Sequence, residues 1–271
     1  MNTVLKANIM QNTMQIEKAE KHELEQFLLK DIIWSSEVIF TLEDNDENIA
    51  RWFIARDGNI LRTAMMICPT YRPVPIFLAG NVLGAPKLFE KVAFNKNIFI
   101  ECPLDFTGIV KERYFFPTLR VMVRMVLKRD VPLSLPNEKP RRLNQDDLKK
   151  AFELYERVIG NTKGFDAMQF IRGTYYGVEL DGNLISIAGT QTISPKYETA
   201  TIGNVLTDAN YRGKGFAMAC VYLLTRELKK TFKCITINVN RGNKTGIHIY
   251  RRCGFVKKLE YFEGQGTRKE V

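Results

Sequence analysis

The segment between Ile202 and Phe232 restricts the fold of this chain most strongly. Its apolar run at 202–207 has the composition of a buried strand, and it leads into a turn that contains Gly213 and Gly215. From Phe216 onward the apolar residues recur at helical spacing. Glycine lacks a Cβ, so the backbone at the two glycines can turn tightly and approach a ligand closely. The order predicts a strand, a glycine-rich turn and a helix.

The turn is a candidate anion site. The first turn of a helix has N–H groups without internal partners, and the helix dipole favours negative charge there. A dinucleotide-binding turn would need a third glycine where Met218 stands, and a P-loop would need Ser or Thr where Gly215 stands. A tight turn without a ligand is the alternative. We predict a pyrophosphate site formed by the glycine turn, defined as Arg212, Gly213, Lys214, Gly215, Phe216 and Ala217.

A second strand and helix follow this segment. Residues 234–239 alternate as a strand does, and Asn243 is a typical N-cap for the short helix after it. Gly254 has the position of a C-terminal cap, with Phe255 beyond it.

These stretches resemble the GNAT superfamily of acyl-CoA-dependent N-acetyltransferases. The resemblance covers about residues 140–262. Within the superfamily, the sequence is similar to the branch that has a duplicated N-terminal lobe. Gly246 stands where this family usually has alanine, and Ala209 stands where it often has proline. The pyrophosphate motif, Arg/Gln-x-x-Gly-x-Gly/Ala, is matched by Arg212, Gly215 and Ala217, and the second motif by Asn243, Ile247, Ile249, Tyr250, Gly254 and Phe255.

The resemblance implies an α+β GNAT fold with acetyl-CoA as acyl donor and a primary amine as acceptor. It implies that the strand before the glycine turn splays from its neighbour and binds pantetheine through the backbone of Val205, Leu206 and Thr207. Asn243 would contact the pantetheine arm, and Tyr250 would be the general acid. A core aromatic is the alternative for Tyr250.

The sequence does not identify the general base. Glu198, at the start of the strand, and Glu179, on the preceding hairpin, are candidates. A chain of water molecules is equally compatible with the sequence. Gln191 and Asn204 are candidates for orienting the acceptor.

The N-terminal half repeats the order of elements seen in the C-terminal half. Each half has an Asp-Gly-Asn hairpin, at 52–61 and 176–185, and Asp-Gly supplies the backbone conformation that a two-residue turn needs. In the first half a strand at 74–78, a helix to about residue 94, and strands at 97–102 and 119–126 follow. We therefore predict a degenerate GNAT-like domain at 1–130, a proline-rich linker at 131–140 and a catalytic domain at 141–271.

The counterpart of the glycine turn in the first half, residues 80–86, contains no cation. We expect no CoA there. The half would either shape one wall of the acceptor cleft or form a homodimer. Its first elements are predicted as a helix at 16–29 and a strand at 37–40.

Composition limits the other functions. The net charge of +10 implies acidic partners, either the phosphates of CoA or nucleic acid, and the dispersed basic residues disfavour nucleic acid. Five cysteines without Cys-x-x-Cys spacing and only two histidines favour a cytoplasmic protein without disulfides or metal. The acidic run at 43–47 is more typical of a solvated loop than of a metal site. No apolar run has the 18 residues of a membrane span. A catalytically silent CoA-binding regulatory protein is the alternative function.

Overall fold

The computed structural model describes residues 14–43, 49–91, 96–118, 120–162 and 164–270. These residues form an α+β protein with the following elements. The strands are β1 (Gln15–Lys18), β2 (Arg51–Asp57), β3 (Ile60–Ile67), β4 (Val74–Gly80), β5 (Asn97–Pro103), β6 (Tyr114–Phe115), β7 (Arg120–Leu127), β8 (Arg141–Arg142), β9 (Tyr175–Leu180), β10 (Asn183–Ser194), β11 (Thr199–Thr207), β12 (Cys234–Asn240) and β13 (Phe255–Arg268). The helices are α1 (Lys21–Leu29), α2 (Ile32–Ser35), α3 (Ala85–Lys91), α4 (Thr107–Arg113), α5 (Leu148–Ile159), α6 (Ala167–Arg172), α7 (Phe216–Leu228) and α8 (Lys244–Arg252).

The chain divides into two compact units. The first comprises residues 1–122 and 260–271, and the second comprises residues 123–259. Two strands, β7 and β13, therefore change unit partway along their length. The proline-rich segment at 131–140 has no helix or strand, as its composition predicts, and it lies inside the second unit.

Both units have the same strand order. In the first, β1 to β5 are followed by the end of β13, and in the second, β8 to β12 are followed by the end of β7. Each unit has a parallel strand pair, β4 with β5 and β11 with β12. The two predicted Asp-Gly hairpins join β2 to β3 and β9 to β10. The second turn has Asp181 and Gly182 at φ angles of 49° and 78°, as a type I′ turn requires.

The core of the second unit positions its site. α7 packs on the sheet through Phe216, Cys220, Leu224 and Leu228, which are four of the apolar residues that the sequence places on one face. The helix ends at Leu228, so Phe232 lies beyond it and is only partly buried. Burial of this apolar face is the main source of stability for such a helix. α7 thereby begins where β11 and its turn end.

Two predictions for the first unit are wrong. Residues 16–18 belong to β1, which pairs with β2 from Gln15–Arg56 to Lys18–Phe53, so the helix begins only at Lys21. Residues 39–42 form a 3₁₀ turn instead of a strand. Residues 16–18 are extended because they pair with the distant strand β2. In the 3₁₀ turn at 39–42, Ile39 and Leu42 are buried. Residues 44–47 of the acidic run, Phe94 at the expected helix end and Leu119 lie outside the described residues.

No helix in the described part of the chain is long and apolar enough to cross a membrane.

Asp147 anchors the entrance to α5. Its carboxylate accepts from the Arg141 guanidinium at 2.8 and 2.6 Å and from the Asn144 backbone N–H at 2.9 Å. The Asn144 side chain in turn accepts from the Asp146 backbone N–H at 2.9 Å. The Arg141 hydrogen bond, and then that of Asn144, hold the pKa of Asp147 below its ordinary value although burial opposes this. The stability that Asp147 contributes is therefore present above about pH 4 and is lost as pH falls through its lowered pKa.

We expect Asp147→Ala to lower the free energy of unfolding by about 1–3 kcal/mol at pH 7, because the cap and a bidentate ion pair are both lost. Urea unfolding of this variant and of Asp146→Ala, which alters an exposed carboxylate in the same turn, measures the difference. Equal stability of the two variants would contradict the assignment.

Candidate active site

The parallel strands β11 and β12 separate towards their carboxyl ends. Their paired residues run from Thr199–Cys234 to Ile202–Ile237, and the described residues show no further pair between them. β11 nevertheless stays paired with β10 as far as Thr207. We call the space between Gly203–Thr207 and Asn238–Asn240 the strand gap. The predicted splay of the strand before the glycine turn is therefore present.

Part of the β11 backbone faces the strand gap and not β10. Asp208 donates its N–H to Ile185 of β10 at 2.9 Å. Alternate residues of a strand present their N–H groups to the same side, so Leu206 also faces β10 while Val205 and Thr207 face the gap. Such groups need partners. The gap can therefore accept a ligand that offers hydrogen bonds along an extended arm.

The glycine turn lies at the carboxyl end of β11. Gly213 and Gly215 have φ angles of 80° and 84°, where a side chain would be strained, and the space around both is open. Gly215 is the N-cap of the 13-residue α7, and no side chain of the described residues caps this helix. The N–H groups of its first turn thus remain available to an anion.

Two cations lie on the glycine turn. Arg212 donates from Nε to the Thr207 carbonyl at 3.2 Å, which fixes its stem against the end of β11. Lys214 is exposed, with Nζ 5.2 Å from the centre of the Tyr211 ring. The turn itself is held by Asp208, which accepts from the Asn210 amide at 3.0 Å and pairs with Arg157 at 3.2 Å. The sequence predicts that Arg212 and Lys214 contribute to a pyrophosphate site. In the structure both belong to the turn that leads into the uncapped start of α7.

α8 starts directly after β12. Asn243 accepts from the Gly246 amide at 2.8 Å, which confirms the predicted N-cap, and Gly254 ends the segment with a φ of 95°. A Cβ at Gly246 would lie 2.8 Å from Asn243 Nδ2, which accounts for glycine at this position. Cys253 Sγ lies 3.6 Å from the Met218 carbonyl, so the end of α8 contacts the first turn of α7.

Tyr250 is a buried residue of α8. It is 7% exposed, and its ring contacts Phe255 edge-on with 6.4 Å between the centroids. No hydrogen bond to its hydroxyl is present within the described residues. Burial raises its pKa above the ordinary value for tyrosine, so the phenol stays protonated at physiological pH. Its ring is part of the core, as the alternative interpretation of the sequence expects. The general-acid role of its hydroxyl stays a prediction.

The two carboxylates considered as general base are both ion-paired. Glu198 is at the amino end of β11, the opposite end from Thr207, and its carboxylate lies 2.6 Å from Lys233 Nζ. Glu179 accepts from Lys150 at 2.5 Å and from Arg141 at 2.6 Å. Hydrogen bonds from Lys150 first, and then from Arg141, lower the pKa of Glu179 and make it a weaker base.

Asn204 lies in a bulge of β11, since Gly203 pairs with Gly189 and Leu206 pairs with Ile187. Its side-chain amide is bound by residues that the sequence analysis did not identify: Tyr155, Gln169 and Tyr175. Tyr155 and Tyr175 carry no local signal of this role, because each reads as an apolar core position. Both N–H groups of the Asn204 amide are used in these bonds. Its predicted role in orienting the acceptor stays a prediction. Gln191, the other candidate, has its side chain against Gly203, where a Cβ would lie 2.8 Å from Oε1.

The first unit has a parallel pair of the same kind. The pairs between β4 and β5 run from Val74–Ile98 to Phe77–Glu101, and β4 then continues beside β3 to Gly80. There the Trp34 indole donates to the Leu78 carbonyl at 3.0 Å and stacks on Phe77 with 4.7 Å between the centroids. In this unit the Leu78 carbonyl, just beyond the last parallel pair, is therefore bound by a protein side chain.

The described residues contain no group of three or more His, Cys, Asp or Glu side chains arranged to hold a metal ion.

Comparison with known proteins agrees with this geometry. Residues 145–255 match the model of the Acetyltransferase (GNAT) family. Among solved structures, a GCN5-related N-acetyltransferase from Sphaerobacter thermophilus is 12% identical with a TM-score of 0.62, covering 96% of this chain and 98% of that one. A GCN5-related N-acetyltransferase-like protein from Streptococcus suis is 18% identical with a TM-score of 0.58, covering 90% and 98%.

A tandem GNAT protein from the clavulanic acid biosynthesis pathway is 11% identical with a TM-score of 0.57, covering 95% of this chain and 99% of that one. No curated protein matches the sequence. At these identities the structures show the fold alone. Residues 145–255 thus match a GNAT acetyltransferase domain, and the chain has a GNAT fold in which the first unit repeats the strand order of the second. This family and fold support acyl transfer from CoA in general.

Proposed function

We propose that the second unit transfers an acetyl group from acetyl-CoA to a primary amine by direct attack. The observation that supports this most strongly is the strand gap beside the glycine turn. A free backbone edge and an uncapped helix start lie at the same end of β11. An extended pantetheine arm and a diphosphate are the two parts of CoA that need such partners.

In this proposal the diphosphate binds the amides from Gly213 to Ala217, with Arg212 and Lys214 adding positive charge. The pantetheine amides pair with the edge formed by Val205, Leu206 and Thr207. Asn243 accepts the Gly246 N–H at Oδ1 for its helix cap, and its Nδ2 donates to the pantetheine arm. A backbone N–H of β11 that faces the gap donates to the thioester carbonyl and stabilises the charge that develops on its oxygen.

The chemical step needs little covalent help from the protein. The neutral amine forms a C–N bond with the carbonyl carbon, the C–S bond breaks, and the thiolate takes a proton from Tyr250. The amine loses its extra proton to solvent, and Tyr250 regains a proton from solvent. Holding both substrates in reacting geometry contributes several kcal/mol. Because Glu179 and Glu198 are ion-paired, we assign deprotonation of the amine to a water chain and not to either carboxylate.

A panel of amines with acetyl-CoA tests the proposal. Small amines, amino acids, aminoglycoside-like compounds and peptides with a free N-terminus are each mixed with the protein, and released CoA thiol is measured. We expect at least one class to give thiol release that saturates with both substrates and an acetylated product by mass spectrometry. Saturable acetyl-CoA binding without transfer to any amine would instead support a catalytically silent CoA-binding protein.

A further inference from the structure

Asn204 has an unusual backbone for a residue within a strand. Its φ is 53°, in the left-handed region that side chains other than Asn, Asp and Gly rarely adopt. The other two such non-glycine residues among those described, Asp181 and Glu198, lie in turns between strands. At Asn204 the same conformation produces the bulge that sets which N–H groups of β11 face the strand gap.

The side chain of Asn204 is bound on all sides. Nδ2 donates to Gln169 Oε1 at 2.9 Å and to the Tyr175 hydroxyl at 2.8 Å, while Oδ1 accepts from the Tyr155 hydroxyl. An amide has two N–H donors, and both are used. The residue therefore ties the bulge to α5, α6 and β9, which carry the three partners.

The hydrogen bonds continue from these partners to β10. The Tyr175 hydroxyl donates to the Thr190 carbonyl at 3.1 Å, and Gln169 Nε2 donates to the Gln191 carbonyl at 2.5 Å. β10 has its own irregularity between Thr190 and Thr192. In this network no hydroxyl or amide group has to donate the same proton twice, so all the donors and acceptors are compatible. Such a fully satisfied network holds a single arrangement.

Aromatic rings pack against both tyrosines of the network. The Tyr155 ring stacks on Phe165 with 4.3 Å between centroids, and Phe170 contacts Tyr175 at 4.6 Å. Burial raises the pKa of Tyr155 above its ordinary value and that of Tyr175 to about 12, so both hydroxyls keep their protons. A Cβ at Gly189 would lie 1.9 Å from the Tyr175 ring, which shows how closely the strand and ring approach.

We propose that Asn204 is a positioning residue whose amide, held by Tyr155, Gln169 and Tyr175, fixes the β11 bulge so that the N–H of Val205 points at the thioester carbonyl. This inference rests on the proposed function, since it concerns the same acetyl-CoA. The amide touches neither substrate. It acts through the backbone, and its loss leaves the glycine turn and its cations in place.

Asn204→Gly is the informative variant, because glycine adopts the left-handed conformation without the amide. Tyr155→Phe removes one hydroxyl and keeps the ring. Asn183→Gly is the matched control, since Asn183 is exposed in a hairpin. The readouts are the carbonyl stretch of bound [1-¹³C]acetyl-CoA by infrared difference spectroscopy, acetyl-CoA affinity by calorimetry, and turnover with the amine found in the panel.

In the wild type we expect the carbonyl stretch to move to lower frequency on binding, since a hydrogen bond weakens the C=O bond. In Asn204→Gly this displacement shrinks by at least half, turnover falls about 10–100-fold and acetyl-CoA affinity changes less than about 3-fold. Tyr155→Phe gives an intermediate effect, and Asn183→Gly matches the wild type.

A displacement and turnover in Asn204→Gly equal to those of Asn183→Gly would overturn the inference. Loss of affinity and melting temperature in proportion to turnover would overturn it too, because that result describes a merely structural residue. A wild type that binds no acetyl-CoA removes the proposed function together with the inference. If the wild type binds acetyl-CoA but acetylates no amine, only the proposed function is contradicted. The shift of the carbonyl stretch in Asn204→Gly then still tests the inference.

Discussion

Replacing Tyr250 by phenylalanine is expected to lower turnover about 100–1,000-fold while acetyl-CoA affinity changes less than about 3-fold. The substitution removes one hydroxyl from a buried ring, so the packing against Phe255 is kept and only the proton for the departing thiolate is lost. Turnover with the amine found in the panel, and calorimetry with acetyl-CoA, give the two quantities. Tyr222→Phe, which removes a hydroxyl from a partly buried tyrosine of α7, is the control.

The pH profile of the wild type supplies a second readout for Tyr250. An acid stops working when it loses its proton, and burial raises the pKa of this phenol. The loss of activity therefore begins at higher pH than it would for an ordinary tyrosine, whose pKa is about 10. We expect turnover to rise as the amine deprotonates and to show no descending limb up to about pH 10. A turnover in Tyr250→Phe within 3-fold of the control, or parallel loss of turnover and affinity, would remove the acid assignment.

Replacing Lys214 by glutamate is expected to weaken acetyl-CoA binding about 10–100-fold. The exposed cation lies on the glycine turn beside the free amides of α7, and the substitution puts a negative charge next to the proposed diphosphate. The interaction is screened by salt, so the loss should shrink between 20 mM and 500 mM salt. Titration calorimetry at both salt concentrations measures it.

Lys149→Glu makes the same change of charge at an exposed position near the start of α5 and controls for the net charge of the protein. Turnover at saturating acetyl-CoA should be nearly unchanged in Lys214→Glu, because Lys214 has no part in the chemical step. Equal affinity in the two variants would show that the diphosphate does not bind at the glycine turn.

The sequence predicted the parts of the site that depend on neighbouring residues. The strand, glycine turn and helix between Ile202 and Leu228 follow from apolar spacing and two glycines, and the cap at Asn243 follows from its position before α8. The amphipathic face of α7 was predicted for the same reason. Each of these features is specified within a few residues of the chain.

The parts that depend on distant residues were not predictable. The partners of Asn204 are 29 to 49 positions away in the sequence, and an asparagine in a strand gives no signal of a left-handed bulge. The contact of Trp34 with Leu78 spans 44 positions. β1 forms by pairing with β2, which overrides the helical spacing of residues 16–29. Only the folded chain brings these residues together.

A crystal structure of the protein with acetyl-CoA tests the central claim most directly. The account predicts the diphosphate on the amides from Gly213 to Ala217, the pantetheine along the β11 edge in the strand gap, and the thioester beside Val205. A glycine turn that remains without acetyl-CoA at saturating ligand, or acetyl-CoA bound in the first unit beside Trp34, would contradict it.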